Sequence, residues 1–385
     1  MEFDLNDEQR LWQQTIHAFC QRELKPKAPE IDRQEALDLD LIARMAPLGL
    51  LGLNVAVEDG GPGIDSVSAA LAIEELGWAC GSTGLSVAAH NGLCCAPIAL
   101  FGNPEQRARW LPGLISGKHG LGALALTEPS GGSDLVGSVA TRAVPRDGKW
   151  RIKGAKAWIT NAGLAPVIVT LCVTDPAAGS HGLSLIVVPG DAPGLHIHPP
   201  EKKLGTRGSP AHAITYDNVE VPQDFLLGEQ GAGLRQTLQV LDGGRMGIAA
   251  LCVGLAQAAF EAARDYARER QSFGKRLIDH QALRFMLADA ACQIEASRLL
   301  VYRCAWLRHM GRPFAVEASM AKLVASEMAE KVCRNAIQVM GAYGYSQEMP
   351  VERMYRDARL MTIGEGTSEV QRMVIARHLF DSGVA

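Results

Sequence analysis

Glu365 stands between two glycines in the run Gly364-Glu365-Gly366-Thr367-Ser368-Glu369-Val370-Gln371-Arg372. Ser368 and Gln371 have capping-box spacing ahead of the apolar positions Val370, Met373, Val374 and Ile375, which places Glu365 in the loop just before a helix. A carboxylate flanked by glycines can be held by backbone alone at a crevice, as a general base requires; the plainer reading is a solvated loop acid. A second segment, Leu126-Thr127-Glu128-Pro129-Ser130-Gly131-Gly132-Ser133-Asp134, carries a strand into a glycine-rich loop with hydroxyls and two acids. Its glycines let backbone N–H groups approach an anion such as pyrophosphate, and the alternative is an ordinary polar turn. In a third, Trp158-Ile159-Thr160-Asn161-Ala162, a strand end offers an indole face near a hydroxyl. That pair suits a flavin edge, or is a half-buried sheet residue beside a turn. His196 and His198 alternate on one strand face, where lone histidines are more often polar surface residues than metal ligands.

These residues need elements to position them. From Leu5 to about Gly117 the apolar spacing is helical, broken at Pro26, Pro29, Gly60-Gly61-Pro62 and Pro104. Between about Gly120 and Gly228 the runs LGALAL, SVATRA, KWRIKG, KAWIT, VIVTLCV, LSLIVV and AITYDNVEV read as strands. Turn chemistry at Pro145-Arg146-Asp147-Gly148 and Asp191-Ala192-Pro193-Gly194 makes that unit antiparallel, a small barrel or sandwich. Helical spacing then returns through Leu234, Leu238 and Leu241, through Leu283, Leu287 and Ala290, and through Met320, Leu323 and Val324, which predicts a bundle. The expected division is 1–119 helical, 120–228 strands and 229–385 helical. The glycines at Gly231 and Gly233 follow no strand in a βαβ setting, so a Rossmann site is not supported.

With 385 residues, 47% hydrophobic and 21% charged, the chain falls among ordinary globular proteins. A net charge of −4 with mixed signs argues against nucleic acid or a membrane surface as partner. The start MEFDLNDEQRLW lacks the pattern of a secretory signal and no apolar run approaches membrane-spanning length, so the expected location is the cytoplasm. The nine cysteines include no CxxC pair, and Cys20, Cys252, Cys292 and Cys333 fall in helical apolar patterns, where reduced packing thiols are expected. Cys94 and Cys95 are adjacent but lack partners at disulfide or metal spacing.

Taken together and in this order, the three segments resemble the acyl-CoA dehydrogenase family, and the similarity runs the whole length of the chain. Ala125 to Gly137 fits the family's first signature at every restricted position. Gln338-Val339-Met340-Gly341-Ala342-Tyr343-Gly344-Tyr345, continuing through Arg353 and Asp357, resembles the second, departing where the usual second glycine or serine is Ala342. Arg268-Glu269-Arg270-Gln271-Ser272-Phe273-Gly274-Lys275 resembles a further element, followed by a helix expected from Asp279.

The resemblance implies an α+β multidomain fold: an N-terminal α-helical domain, a central antiparallel β-barrel or sandwich and a C-terminal four-helix bundle. It implies FAD, with Leu126, Thr127 and Ser133 at the ring and pyrophosphate, and Trp158 and Thr160 flanking the ring. Arg270, Phe273, Gln338 and Gly341 would hold a neighbouring subunit's FAD in a homotetramer, and Thr367 and Glu369 would touch the chain's own. The implied reaction is α,β-dehydrogenation of a short or branched acyl-CoA, with Glu365 as base and its backbone N–H among the donors to the thioester oxygen. Ser133, Asp242, Arg245, Gly364 and Gly366 would line the substrate site; Asp242 and Arg245 otherwise read as a capped helix start with a surface ion pair. Some branches place the base at the position of Gly244, and many carry tyrosine at Gly364, so this sequence implies more room beside the acyl chain. The implied electron acceptor is an electron-transferring flavoprotein. An acyl-CoA oxidase shares the base but is generally longer, and a flavin monooxygenase on this fold would have no use for Glu365.

Overall fold

The computed structural model describes residues 4–381. Its first part is helical: α1 (Asp7–Phe19), α2 (Ala28–Gln34), α3 (Leu39–Met45), α4 (Ser66–Ala79), α5 (Gly81–Ala89), α6 (Ala96–Phe101) and α7 (Pro104–Ile115). Local chemistry sets the starts. Asn6 with Gln9, and Asn103 with Gln106, form complete capping boxes, and Asp65 accepts from the Val67 and Ser68 N–H groups at the head of α4.

The strands follow: β1 (Ala123–Ala125), β2 (Arg142–Arg146), β3 (Lys149–Thr160), β4 (Val167–Val173), β5 (Leu183–Pro189), β6 (Leu195–Pro200) and β7 (Ala211–Pro222), with the short helix α8 (Leu135–Ser138) between β1 and β2. They form one sheet in the order β1-β4-β2-β3-β7-β6, with β5 on β4. The hairpins are antiparallel as expected, but β1 and the start of β2 run parallel to β4 along one of its edges. Two strand readings change. SVATRA is not a strand throughout, because Asp134 caps α8 and the chain extends only from Arg142. KWRIKG and KAWIT are one strand, kept continuous by two register shifts against β7. Asp147 and Gly148, both at positive φ, make the tight β2–β3 turn.

The last part comprises α9 (Gly233–Glu269), the hairpin β8 (Gln271–Ser272) and β9 (Lys275–Arg276), α10 (Gln281–His309), α11 (Ala315–Met340), α12 (Pro350–Met361) and α13 (Ser368–Asp381). A 3₁₀ turn over Leu277–Asp279 delays α10 to Gln281. Leu238 and Val324, read as apolar-face positions, are 45% and 41% exposed.

The first and last helical parts share one buried core, which runs from Ile16, Leu41 and Leu76 to Leu251, Val301 and Ala329. A second core joins the sheet to Cys94, Ile98 and Leu111, and to the start of α9 at Val240 and Leu241. Gly81–Phe101 and Gly233–Glu269 are apolar enough and long enough to cross a membrane, contrary to the sequence expectation, but 78% and 72% of their apolar windows are buried inside the protein. They are core helices. The cysteines among the described residues are free and buried except Cys292, which is exposed and not a packing residue.

The crossing of α4 and α9 fixes the frame. A Cβ on Gly254 would overlap the Glu74 carbonyl oxygen, and one on Gly77 would lie 2.5 Å from the Leu251 carbonyl oxygen. Backbone therefore meets backbone, which only glycine permits. On α4 the buried Glu74 carboxylate accepts from Arg298 Nε (2.9 Å) and the Tyr302 hydroxyl (3.0 Å), tying α10 to the same crossing. Gly254→Ala is expected to destabilise the fold by about 1–3 kcal/mol through forced backbone shifts. Gly113→Ala, in α7 with nothing within 4 Å of the added carbon, is expected to stabilise it by up to about 1 kcal/mol. Thermal midpoints of the two variants check this; a pair shifted in the same direction would refute it.

Candidate active site

Glu365 lies in the turn between α12 and α13, on a left-handed backbone with φ 54°. The turn is fastened from two helices. Lys322 Nζ of α11 donates to the Gly366 carbonyl (2.7 Å), and Gln371 Nε2 donates to the Gly366 and Glu365 carbonyls (2.9 and 3.3 Å). The cap of α13 falls one residue earlier than its spacing suggests: Thr367 Oγ1 accepts from the Val370 N–H (3.3 Å), and Ser368 Oγ is buried without a partner. Gln371 is drawn back to the loop carbonyls and does not close a capping box.

The Glu365 carboxylate points inward, and its Oε2 is buried with no hydrogen-bond partner. It faces α9 at Gly244, where an added Cβ would overlap Oε2 and lie 3.1 Å from Leu93 Cδ2. Burial raises the Glu365 pKa from 4.5 to about 7, against the pull of the positive charges of Lys322 and Arg245. Arg245 is itself buried and donates to Asp242 Oδ1 (2.7 Å) within α9, so the pair is neither at a helix start nor a surface bridge. Burial also raises the Asp242 carboxyl above its ordinary value. Beside Gly244 opens an apolar cavity between Ile73 of α4, Ala88 and Gly92, and Met246 and Gly247 of α9. At Gly364 an added Cβ would meet only Leu360 atoms, at 3.8 Å or more.

A second cluster forms on the sheet. Between Lys156 and Ile159 strand β3 bulges, and Trp158 within the bulge has φ 62° and is 59% exposed, not half-buried in the sheet. An aromatic residue in the left-handed region is an outlier that neighbouring structure must enforce. The enforcement is visible. The Ala157 N–H donates to the Thr127 carbonyl (2.9 Å), and the buried Lys156 Nζ donates to the Leu126 carbonyl (2.9 Å) and Glu128 Oε1 (2.9 Å). Glu128 also accepts from the Ala140 and Thr141 N–H groups, and Asp134 accepts from the Gly137 N–H. Both acids of the glycine loop are thereby engaged, while Thr127 is half-buried and Ser133 exposed. Leu126 contributes its side chain to the sheet core, and Thr160 is half-buried opposite Ala211.

Arg270, Phe273, Gln338 and Gly341 gather at the far end of α9 and α11. Arg270 ends α9 and sets its guanidinium 5.7 Å from the Tyr343 ring, which brings the β8–β9 hairpin against the turn that begins at Gly341. Phe273 at the hairpin tip is 95% exposed with φ 52°. Gln338 is exposed, and a Cβ on Gly341 (φ 62°) would meet nothing within 4 Å. Thr367 and Glu369 flank the Glu365 turn; Glu369 is exposed, with its carboxyl held below the ordinary value by hydrogen bonds from its own N–H and from Thr367.

Models of the acyl-CoA dehydrogenase N-terminal, middle and C-terminal domains match residues 6–118, 123–219 and 231–380. The chain belongs to the acyl-CoA dehydrogenase family. A probable acyl-CoA dehydrogenase, YngJ, of Bacillus subtilis is 46% identical over 380 residues, 98% of this chain and 100% of the relative. The human mitochondrial short-chain specific acyl-CoA dehydrogenase is 42% identical over 379 residues, 98% and 92% of the two chains. The solved butyryl-CoA dehydrogenase of Megasphaera elsdenii has a TM-score of 0.95 and 38% identity, covering 98% of this chain and 100% of that one. The protein is a flavoprotein oxidoreductase that acts on acyl-CoA.

Several residues around these clusters escape motif reading. Lys322 and Lys156 each occupy an inward position of an apolar pattern, and a lysine there needs a buried acceptor, which is the signal that points to them. Gln371 offers only capping spacing, which points the wrong way. Asp357, part of the second signature, is buried with its carboxyl pushed up to about 6, and it accepts from the Thr206 N–H (2.5 Å), tying α12 to the loop before β7.

The raised Glu365 pKa has a consequence for stability. The folded chain keeps this proton to about pH 7 and the unfolded chain releases it near 4.5, so stability is lost as pH rises between those values. Glu365→Gln, which cannot ionise, should therefore match the wild type in thermal midpoint near pH 5 and exceed it by a few degrees near pH 8. A midpoint difference independent of pH would show that the carboxylate is not buried as described.

Proposed function

We propose that the chain is an FAD-dependent dehydrogenase that converts a short or branched acyl-CoA to the 2-enoyl-CoA, with Glu365 removing the α-proton. The observation that carries this reading is the buried, unpartnered Glu365 Oε2 beside an apolar cavity. A carboxylate fixed by its own hydrogen bonds would be a poor base, and one in bulk water would be a weak one. Here the partner is left for a substrate.

The donor set fits FAD. An exposed Trp158 on a strained bulge, a glycine loop whose Glu128 is paired with Lys156, and an exposed Arg270 and Phe273 beside Gly341 suit a planar ring, a pyrophosphate and an adenosine. Leu126, Thr127, Ser133, Trp158, Thr160, Thr367 and Glu369 would hold the chain's own FAD. When bound, FAD supplies the acceptor for the β-hydrogen as hydride.

The chain's residues do the rest. Lys322 and Gln371 fix the backbone of the turn, so the carboxylate swings about side-chain bonds alone. Gly244 leaves the space it occupies. Lys322 and Arg245 keep its pKa from rising further, so that a large fraction is ionised near pH 7 and yet basic enough to accept the α-proton, which goes to Oε2. The Glu365 N–H stabilises the charge that develops on the thioester oxygen. Ser133, Asp242, Arg245, Gly364 and Gly366 border the path of the acyl-CoA. The reading extends to an electron-transferring flavoprotein as acceptor and to the cytoplasm as location, supported by the family resemblance.

Anaerobic flavin bleaching with a panel of acyl-CoAs tests the function. Glu365→Gln should keep FAD and lose the reductive step by at least about a thousandfold; near-normal bleaching would sink the assignment of the base. In the wild type kcat/KM should rise with pH to a plateau above about 7, because the free enzyme must have lost the Glu365 proton. Lys322→Met should move that limb upward, since it removes a charge that favours the ionised form.

Gly364 motivates the branched substrate. Gly364→Tyr should lower the ratio of isobutyryl- to butyryl-CoA turnover by roughly tenfold, the scale set by a methyl group in a pocket. An unchanged ratio would remove Gly364 from the account.

The exposed Arg270, Phe273 and Gln338 motivate a homotetramer in which each chain completes a neighbour's FAD site. Arg270→Ala should lower FAD content and assembly size together, since a ligand bound across an interface stabilises it. A wild-type monomer with full FAD content in gel filtration would refute this.

A further inference from the structure

The cavity at Gly244 is lined by a cation that no carboxylate among the described residues neutralises. Arg308, in the last turn of α10, shares its lining with Asn54, Ile73, Gly92, Gly243 and Gly244. Its guanidinium lies over the α9 backbone, where an added Cβ on Gly243 would be 3.6 Å from Arg308 Nη1. Among the described residues no carboxylate pairs with it, and burial lowers its proton affinity against the Cys304 thiol alone. Asp242, its near neighbour on α9, is already taken by Arg245 (2.7 Å). The amide of Asn91 is likewise spent on the Leu53 N–H and the Leu50 and Val87 carbonyls.

Arg308 lines this space directly, whereas Glu365 abuts it through Gly244. Gly244 faces Glu365 and Gly243 faces Arg308, and successive helix residues point about 100° apart. The charges that act on the Glu365 carboxyl are those of Lys322 and Arg245, and Arg308 is not among them. The cavity thus has Gly244, which faces the unpartnered acid, and the unpaired guanidinium of Arg308 in one lining, with the apolar side chains of Ile73, Ala88 and Met246 beside them.

We infer that Arg308, with Asn54, forms a polar end wall that selects the terminus of the acyl chain, favouring one that ends in a carboxylate over an apolar chain of equal length. This rests on reading the cavity as the acyl site. An apolar terminus pushed against the guanidinium strips its water and returns no hydrogen bond. A carboxylate there gains a charge-assisted, bidentate contact that the planar guanidinium is shaped to make. A chain as short as butyryl stops before the wall. Arg308 is in this account a specificity-determining residue, and the chemistry at Glu365 is unaltered: the α-proton still passes to its carboxylate.

Glutaryl-CoA and hexanoyl-CoA match in length and differ at the terminus, so their ratio of anaerobic FAD reduction rates in the holoenzyme reads the wall. Butyryl-CoA is the reference. Arg308→Met should lower the glutaryl-to-hexanoyl ratio by at least about tenfold, as expected when a site loses its partner for a buried polar group. Arg308→Lys, which keeps the charge, should retain most of it and guards against loss of folding as the cause. A ratio unchanged in Arg308→Met overturns the inference, as does wild-type protein that reduces FAD with butyryl-CoA but neither turns over nor binds glutaryl-CoA. Failure with butyryl-CoA as well would overturn the dehydrogenase reading itself, and this one with it.

Discussion

A buried carboxylate with no partner is an unfavourable thing to build, and much of this structure exists to hold one. Glu365 Oε2 makes no hydrogen bond, and burial shifts the group to about 7 from 4.5. Nothing in the side chain itself keeps it there, so its place is set by the backbone of a short turn. That turn is gripped by Lys322 from α11 and Gln371 from α13, while α9 supplies Gly244 as the opposing wall. Three helices must therefore agree in position for one acid to be where it is. Lys322 serves twice, fixing the Gly366 carbonyl and opposing the desolvation of the carboxylate.

The agreement of the helices comes from close packing at the α4–α9 crossing. Gly77 and Gly254 bring the two backbones into contact, and the Glu74–Arg298–Tyr302 cluster extends the rigid unit to α10. Because α9 carries Val240, Gly244 and Arg245 in succession along its length, the same helix reaches the core of the sheet and sets the wall of the acid's pocket. Positions of Glu365 and of the sheet are thus coupled through one long helix. The sheet adds its own anchor: Lys156 and Glu128, both buried, bond the glycine loop to the strand that bears Trp158.

The order helix, sheet, helix was legible because long 3.6-residue patterns give way to short runs rich in Val, Ile and Thr bounded by turn residues, and then return. Sheet direction was not. Turn residues announce the hairpins, but the parallel pairing of β1 and β2 with β4 depends on contacts distant in sequence. The glycine-bracketed Glu365 could be picked out as a loop acid, yet its burial rests on Gly244 and Leu93, which no local pattern connects to it. The cap of α13 failed for a related reason: Gln371 has better use for its amide at the loop carbonyls than at a helix end. Cys292 shows the limit of periodicity, because an apolar pattern on a long helix does not say which face finds a neighbour.

Backbone strain offers a signal that the sequence withholds. Among the described residues, eight non-glycine positions have positive φ, of which Asp147, Asn161 and Asn218 are types that enter that region readily. Of the remaining five, Glu35 ends α2 and pairs with Lys202 (2.6 Å) and Arg207, and Thr206 donates its N–H to Asp357. Those two are explained by contacts inside the chain. Trp158, Phe273 and Glu365 are not: Trp158 and Phe273 stay 59% and 95% exposed, Phe273 with only an edge-on contact to His280, and Glu365 keeps a buried bare oxygen. Left-handed conformations of such residues persist only where the surroundings over-determine them, and they collect at binding and catalytic sites. The three lie in three different motif segments, so the strain and the motifs point independently to the same places.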